Sequence, residues 1–187
     1  MKFPAFSISL AVLSIGLVAC APKSNDAQQQ PAPSPAVTAQ SDESAQEQKH
    51  LETFDDLDFN VYSGQKWDEF HRSHADNIIV HYPDGRTTTG LAAHLDELKP
   101  QFVFAPDTKI KVHPVKVTQG NFTAVTGIME GTFSKPMKLP DGTVIQPTNK
   151  PFKLDMATFG CWENGVMVEE WLFWDNQAFM KQIGLAQ

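Results

Sequence analysis

The sequence predicts an α+β fold in which helices pack on one face of a curved antiparallel sheet. Helical spacing dominates the start of the folded part, and from about residue 107 it gives way to alternating apolar runs. Two of the longest such runs are joined by Glu163-Asn164-Gly165, a tight hairpin signal. Helices gathered ahead of a strand meander belong to the α+β class.

The elements follow in order. Residues 43–58 contain neither Gly nor Pro and place Leu51, Phe54 and Leu57 at helical spacing. After Ser63-Gly64, residues 65–74 put Trp67, Phe70, His71 and His74 on one face of a second helix. "ADNIIVHYPDG" is a short β-branched strand ending in a Pro-Asp-Gly turn. Residues 87–102 read as a third helix, with Leu91, Leu95 and Leu98 on one side and Lys99-Pro100 as its stop. The run through Val117, a Gln-Gly-Asn turn and Phe122 to Phe133 give two strands. A Pro-rich excursion over 135–150 precedes the final hairpin of 151–162 and 165–174, and "NQAFMKQIG" closes the chain as a short helix. A sheet curved around three helices leaves a cone-shaped cavity suited to a small apolar ligand.

The N-terminal end belongs to another class of segment. "MKFPAFSISLAVLSIGLVAC" has a positive start at Lys2 and an apolar stretch from Ile8 to Val18, too short to span a bilayer, so residues 1–19 read as an export signal. Leu17-Val18-Ala19-Cys20 resembles the bacterial lipobox, in which the Cys is diacylated and becomes the mature N-terminus. Cys20 is therefore the expected lipidation site. Residues 20–46 are rich in Pro, Ala, Gln and Ser without an aromatic residue, and read as a disordered tether. The expected location is the bacterial cell envelope, on the periplasmic side of the outer membrane in a Gram-negative host, with the folded domain over residues 47–187.

That domain holds all four Trp and eleven of the thirteen Phe. The whole chain carries a net charge of −7, and no basic patch points to nucleic acid. With Cys20 assigned to lipid, Cys161 stands alone and forms no intramolecular bridge. His50, His71, His74, His81, His94 and His113 show no zinc-ligand spacing, so no metal is expected from the pattern.

Several words of the chain are familiar in this order. "HADNIIVHYPDGRTTTGLAAHLDEL", "FAPDTKIKV" and "NGVMVEEWLFWDNQAFMKQIG" resemble the SnoaL-like polyketide cyclase or ester cyclase family, within the nuclear transport factor two-like superfamily. The resemblance runs from about Trp67 to Gly184. It implies a cone-shaped α+β barrel with a deep apolar pocket, no cofactor, and a pocket aspartate acting as general acid/base in ring closure. By its place after Glu170-Trp171, Asp175 is the position that would inherit this role. The family's nearby histidine has no counterpart here, where Cys161 stands instead. Pairing of two copies through the open sheet face is a further expectation from the resemblance.

The residues themselves leave Asp175 with two roles. Strand parity places it on the face of Met167, Glu169, Trp171 and Phe173, where desolvation would raise its pKa if that face lines the cone. An Asp opening "NQAFMKQIG" is also a good helix N-cap. His74 and His81 are the other candidates for proton transfer or for polarising a carbonyl. Trp67, Tyr82, Phe104, Phe159, Trp171 and Phe173 are the candidate ligand contacts. The two functions in view are a cofactor-free cyclase or isomerase-like catalyst and a ligand-binding lipoprotein without chemistry, each taking a small apolar metabolite.

Overall fold

The computed structural model describes residues 35–139 and 141–186. The export signal, Cys20 and the first part of the expected tether lie outside them. Helix α1 spans Pro35–Asp56 and so begins inside the stretch read as tether. Pro suits a first helical turn, and the Ala, Gln and Glu that follow are good helix formers. The helix runs on into a wider π-helical turn, Leu57–Tyr62, marked by Ser63 N donating to Asp58 O at 3.2 Å. Such turns are rare and recur at functional sites. This one brings Leu57, Asp58 and Tyr62 to the wall of a single cavity.

The second helix expected over 65–74 shrinks to a 3-10 turn, Trp67–Arg72, and His74 opens strand β1, His74–His81. His74 is drawn into the sheet because β1 runs parallel to the last strand, β9 (Val166–Trp174), with His74 opposite Met167. Thr87–Thr89, expected to begin a helix, forms strand β2 against β1. Gly90, at φ 97°, makes the corner before helix α2, Leu91–Phe104. Pro100 does not end that helix, because the next turn buries Phe102 and Phe104.

The remaining strands are β3 (Lys109–Ile110), β4 (Lys116–Gln119), β5 (Phe122–Thr132), β6 (Met137–Lys138), β7 (Val144–Ile145) and β8 (Pro151–Glu163). Helix α3, Asn176–Gln182, follows β9. The main sheet runs β2-β1-β9-β8-β5-β3 with β4 also on β5, while β6 and β7 form a separate hairpin. Every pairing is antiparallel except β1 with β9. The sheet is thus curved as expected but mixed rather than antiparallel. Asn164 and Gly165 turn the β8–β9 hairpin at φ 51° and 84°, the left-handed values that a tight two-residue turn requires.

One irregularity in that hairpin positions the site. Trp162 pairs with Met167 and Cys161 with Glu169, so Val168 is an extra residue, a β-bulge. It reverses the alternation of β9. Met167 is buried before the bulge, Glu170 and Leu172 are buried after it, and Phe173 is exposed. The face assigned to the cone from unbroken parity is therefore the outer face beyond the bulge. Behind β9, Trp162 is fully buried, donates to Thr123 Oγ1 at 2.9 Å and stacks on His50.

Candidate functional site

Between α2, the π turn and the inner sheet face lies a cavity of about 220 Å³. Most of its wall is apolar, with Leu57, Met129, Leu154, Met156, Leu172 and Trp174 contributing. Six ionisable groups line it as well: Asp58 and Tyr62 from the π turn, His74 from the start of β1, His94 and Glu97 from α2, and Glu170 from β9. Their ancestry in the fold explains their meeting. The parallel β1–β9 pairing sets His74 opposite Met167, three residues before Glu170, so that its side chain reaches the Glu170 carboxylate, and α2 packs over β1 to bring in His94.

Glu170 Oε2 lies 3.7 Å from His74 Nε2 and 3.6 Å from His94 Nε2. Their side chains are between 1% and 5% exposed. His74 Nε2 and Glu170 Oε2 are buried without a hydrogen-bond partner. The outer ring nitrogens are held: His74 Nδ1 by Ser73 Oγ at 2.9 Å, His94 Nδ1 by the Tyr82 hydroxyl at 2.8 Å. Burial lowers the pKa of His94 to about 4 against the opposing charge of Glu170, so His94 is neutral near pH 7. Burial pushes the Glu170 carboxyl up, but the facing His74 and His94 outweigh it and hold it below its ordinary value.

Asp58 heads a second chain of polar contacts. Its Oδ2 meets His113 Nε2 at 2.9 Å, His113 Nδ1 meets Asp55 Oδ1 at 2.8 Å, and Lys116 Nζ donates to Asp55 Oδ2 at 2.7 Å. The chain leads from the cavity to the surface. Burial raises the Asp58 pKa in spite of the His113 hydrogen bond and charge. Burial lowers His113, yet Asp58 and Asp55 on its two nitrogens bring it above the ordinary value.

Of the residues singled out from the sequence, His74 alone lines this cavity. Asp175 takes the cap role: its exposed side chain accepts from Ala178 N at 2.9 Å and borders a shallow surface groove instead. His81 lies on the outer side, paired to Glu169 at 2.7 Å and stacked on Trp171 at 5.2 Å. Phe159 and Phe173 pack edge to face there and are 46% and 49% exposed. Cys161 also lies outside the cavity lining. Trp67 stacks on Phe70, Phe104 belongs to a separate core with Phe133 and Phe152, and Tyr82 acts through His94. These corrections share one cause, the bulge, for every residue drawn from β9. His94, Glu170 and Asp58 were missed; a buried acid in an apolar strand, Glu170 beside Leu172, was the available signal.

A curved mixed sheet closed by helices over an apolar cavity is the α+β architecture of the nuclear transport factor two-like fold. The chain belongs to the SnoaL-like polyketide cyclase family, whose model matches residues 52–183. Its fold is similar to that of a putative SnoaL-like polyketide cyclase from Jannaschia sp. CCS1, at 17% identity and TM-score 0.65 over 75% of this chain and 95% of that one. It is also similar to IdmH, a putative polyketide cyclase from Streptomyces antibioticus, at 20% identity and TM-score 0.61 over 72% and 98% of the two chains. A third likeness, at 12% identity and TM-score 0.57 over 73% and 92%, is to a hypothetical protein with a ketosteroid isomerase-like fold from Catenulispora acidiphila, in complex with trimethylamine. No curated protein sequence matches the chain.

Proposed function

We propose that this chain is an envelope-anchored acid/base catalyst acting on a small, largely apolar carbonyl compound. The observation that carries the reading is Asp58, a cavity carboxylate with a raised pKa, facing the same space as His74, His94 and Glu170. A carboxyl whose pKa is raised toward the operating pH is suited to taking a proton from carbon and returning it. Asp58 removes the proton α to the carbonyl, the C–H electrons move onto the carbonyl oxygen, and the enolate oxygen lies at the histidine end. The proton then returns to carbon, or the enolate carbon attacks a second carbonyl of the same molecule, closing a ring as that carbonyl's π electrons move onto its oxygen, and Asp58 returns its proton to the new alkoxide. His113, Asp55 and Lys116 connect Asp58 with solvent and let its proton re-equilibrate between turnovers.

Size narrows the substrate. A cavity of about 220 Å³ exceeds the roughly 150 Å³ that takes up benzene and falls short of the roughly 300–1,000 Å³ of drug-sized pockets. A monocyclic or short branched ketone fits that range. The test is α-deuterium exchange into a panel of such ketones, followed by mass spectrometry. Wild type should exchange one of them well above buffer, Asp58→Asn should lose roughly 100-fold or more, and Asp175→Asn, which keeps its cap oxygen, should match wild type. If a ketone binds but no exchange exceeds buffer, the catalytic reading fails and the pocket only sequesters its ligand.

Anchoring rests on Leu17-Val18-Ala19-Cys20 directly after an apolar signal. Among the described residues no helix is long and apolar enough to cross a membrane. Cys20→Ser should move the protein from the detergent phase to the aqueous phase of an envelope extract; equal partitioning of both forms would exclude the lipid. A second copy of the chain is the partner proposed for the outer sheet face.

A further inference from the structure

We infer that His74, His94 and Glu170 form a binding site for one divalent first-row transition-metal ion, open to the cavity on its remaining side. His74 Nε2, His94 Nε2 and Glu170 Oε2 converge: the two nitrogens stand 3.7 and 3.6 Å from one oxygen, and the group's donor atoms lie within 4.8 Å of one another. Two donors at about 2.1 Å from a tetrahedral ion are separated by about 3.4 Å, so a small inward movement completes the set.

The hydrogen bonds behind the rings decide what the front nitrogens present. Ser73 has one hydroxyl proton and donates it to Phe70 O at 3.2 Å, so its oxygen accepts from His74 Nδ1–H. Tyr82 can pass its own proton to Thr88 Oγ1 at 3.3 Å and accept from His94 Nδ1–H. In the neutral form, which metal binding requires, both imidazoles then aim an Nε2 lone pair at a carboxylate oxygen. Three acceptors facing one another, two of them buried and without a partner, are a costly arrangement until a cation sits among them. Held outer nitrogens are also what metal-binding histidines have elsewhere.

Two histidines and a carboxylate with an open position suit zinc or ferrous ion. The group lines the cavity, so the open position faces the bound molecule. If the catalytic reading above holds, on which this role rests, the ion would polarise the carbonyl oxygen as a Lewis acid. The site itself does not depend on that reading. Its ligands lie far apart in sequence, on β1, α2 and β9, which is why no zinc spacing is visible in the chain.

The experiment is titration of the untagged full chain, freed of metal by chelator, with Co²⁺ followed by its visible absorption and with Zn²⁺ in competition with a chromophoric chelator. Wild type should bind one equivalent of each. Glu170→Gln, which preserves the shape, should abolish saturable binding while its metal-free melting temperature stays equal or rises, since an unpaired buried charge is gone. Tyr82→Phe, which removes the support of His94, should weaken binding by about 10–100-fold. Glu169→Gln, on the outer face, should bind as wild type. Absence of one-to-one binding by wild type, or binding that survives Glu170→Gln in a folded protein, overturns the inference. No substrate is present in the titration, so its failure leaves the ketone-exchange result untouched.

Discussion

His113 shows how one side chain can serve both the stability of the fold and the chemistry of the cavity. Its side chain is 1% exposed and bridges Asp58 and Asp55. The two acids raise its folded-state pKa above the ordinary 6.5, against the burial that lowers it. A base with a raised pKa holds its proton more tightly when folded, so its stabilisation is complete below pH 6.5 and is lost as pH rises through the raised value. His94 titrates on the other side, since its folded value of about 4 lies below 6.5, and Tyr62 and Tyr82 are pushed further into alkali. Urea unfolding of wild type should therefore show stability falling as pH rises above about 6.5. His113→Gln should flatten that slope. A wild-type profile as flat as that of the variant would mean that the two acids do not hold a proton on His113.

At the scale of elements, what was legible in the sequence was what local chemistry dictates. Asn164-Gly165 turns its hairpin, β5 falls within the strand read at Phe122–Phe133, and α3 begins after Asp175 as the cap pattern implies. The pairing of Thr87–Thr89 with β1 and the parallel join of β1 to β9 depend on partners far along the chain, and periodicity does not contain them. The bulge at Val168 is the costliest omission. By one extra residue it sets Glu170 on the cavity side and Phe173 on the outer side. Gly160, opposite Glu170, belongs to the same device: a Cβ there would meet Met167 Sδ at 2.7 Å and Thr123 Oγ1 at 3.0 Å. Met167 is fully buried and has little room to withdraw. Gly160→Ala should cost about 1–3 kcal/mol, read as a lower urea midpoint at unchanged slope, and a neutral result would show that the strand yields at the bulge.

For the whole molecule, the outer sheet face is the feature that the cavity does not explain. One row of paired residues crosses it from Val117 through Ala124, Phe159 and Trp171 to His81. The neighbouring rows add Phe122 beside Cys161, and Phe173 beside Ala157. Val117, Phe122, Phe159 and Phe173 are all more than 40% exposed. Contiguous exposed apolar surface of this kind marks an interaction site more often than scattered residues do. The hydrogen-bonded polar pair His81–Glu169 interrupts the patch, and a twofold pairing would set each copy's aromatic rows against the other's, as an isologous interface requires. The full chain with Cys20→Ser, which removes the lipid as a cause of association, should then sediment as a dimer. Adding Phe159→Glu and Phe173→Glu should give a monomer, because two acids on each copy would be desolvated at the contact without a cationic partner. The inner cavity lies on the other face of the sheet, so Co²⁺ binding and ketone exchange should persist in the monomer. A Cys20→Ser protein that is already monomeric would remove the second copy as the occupant of this face.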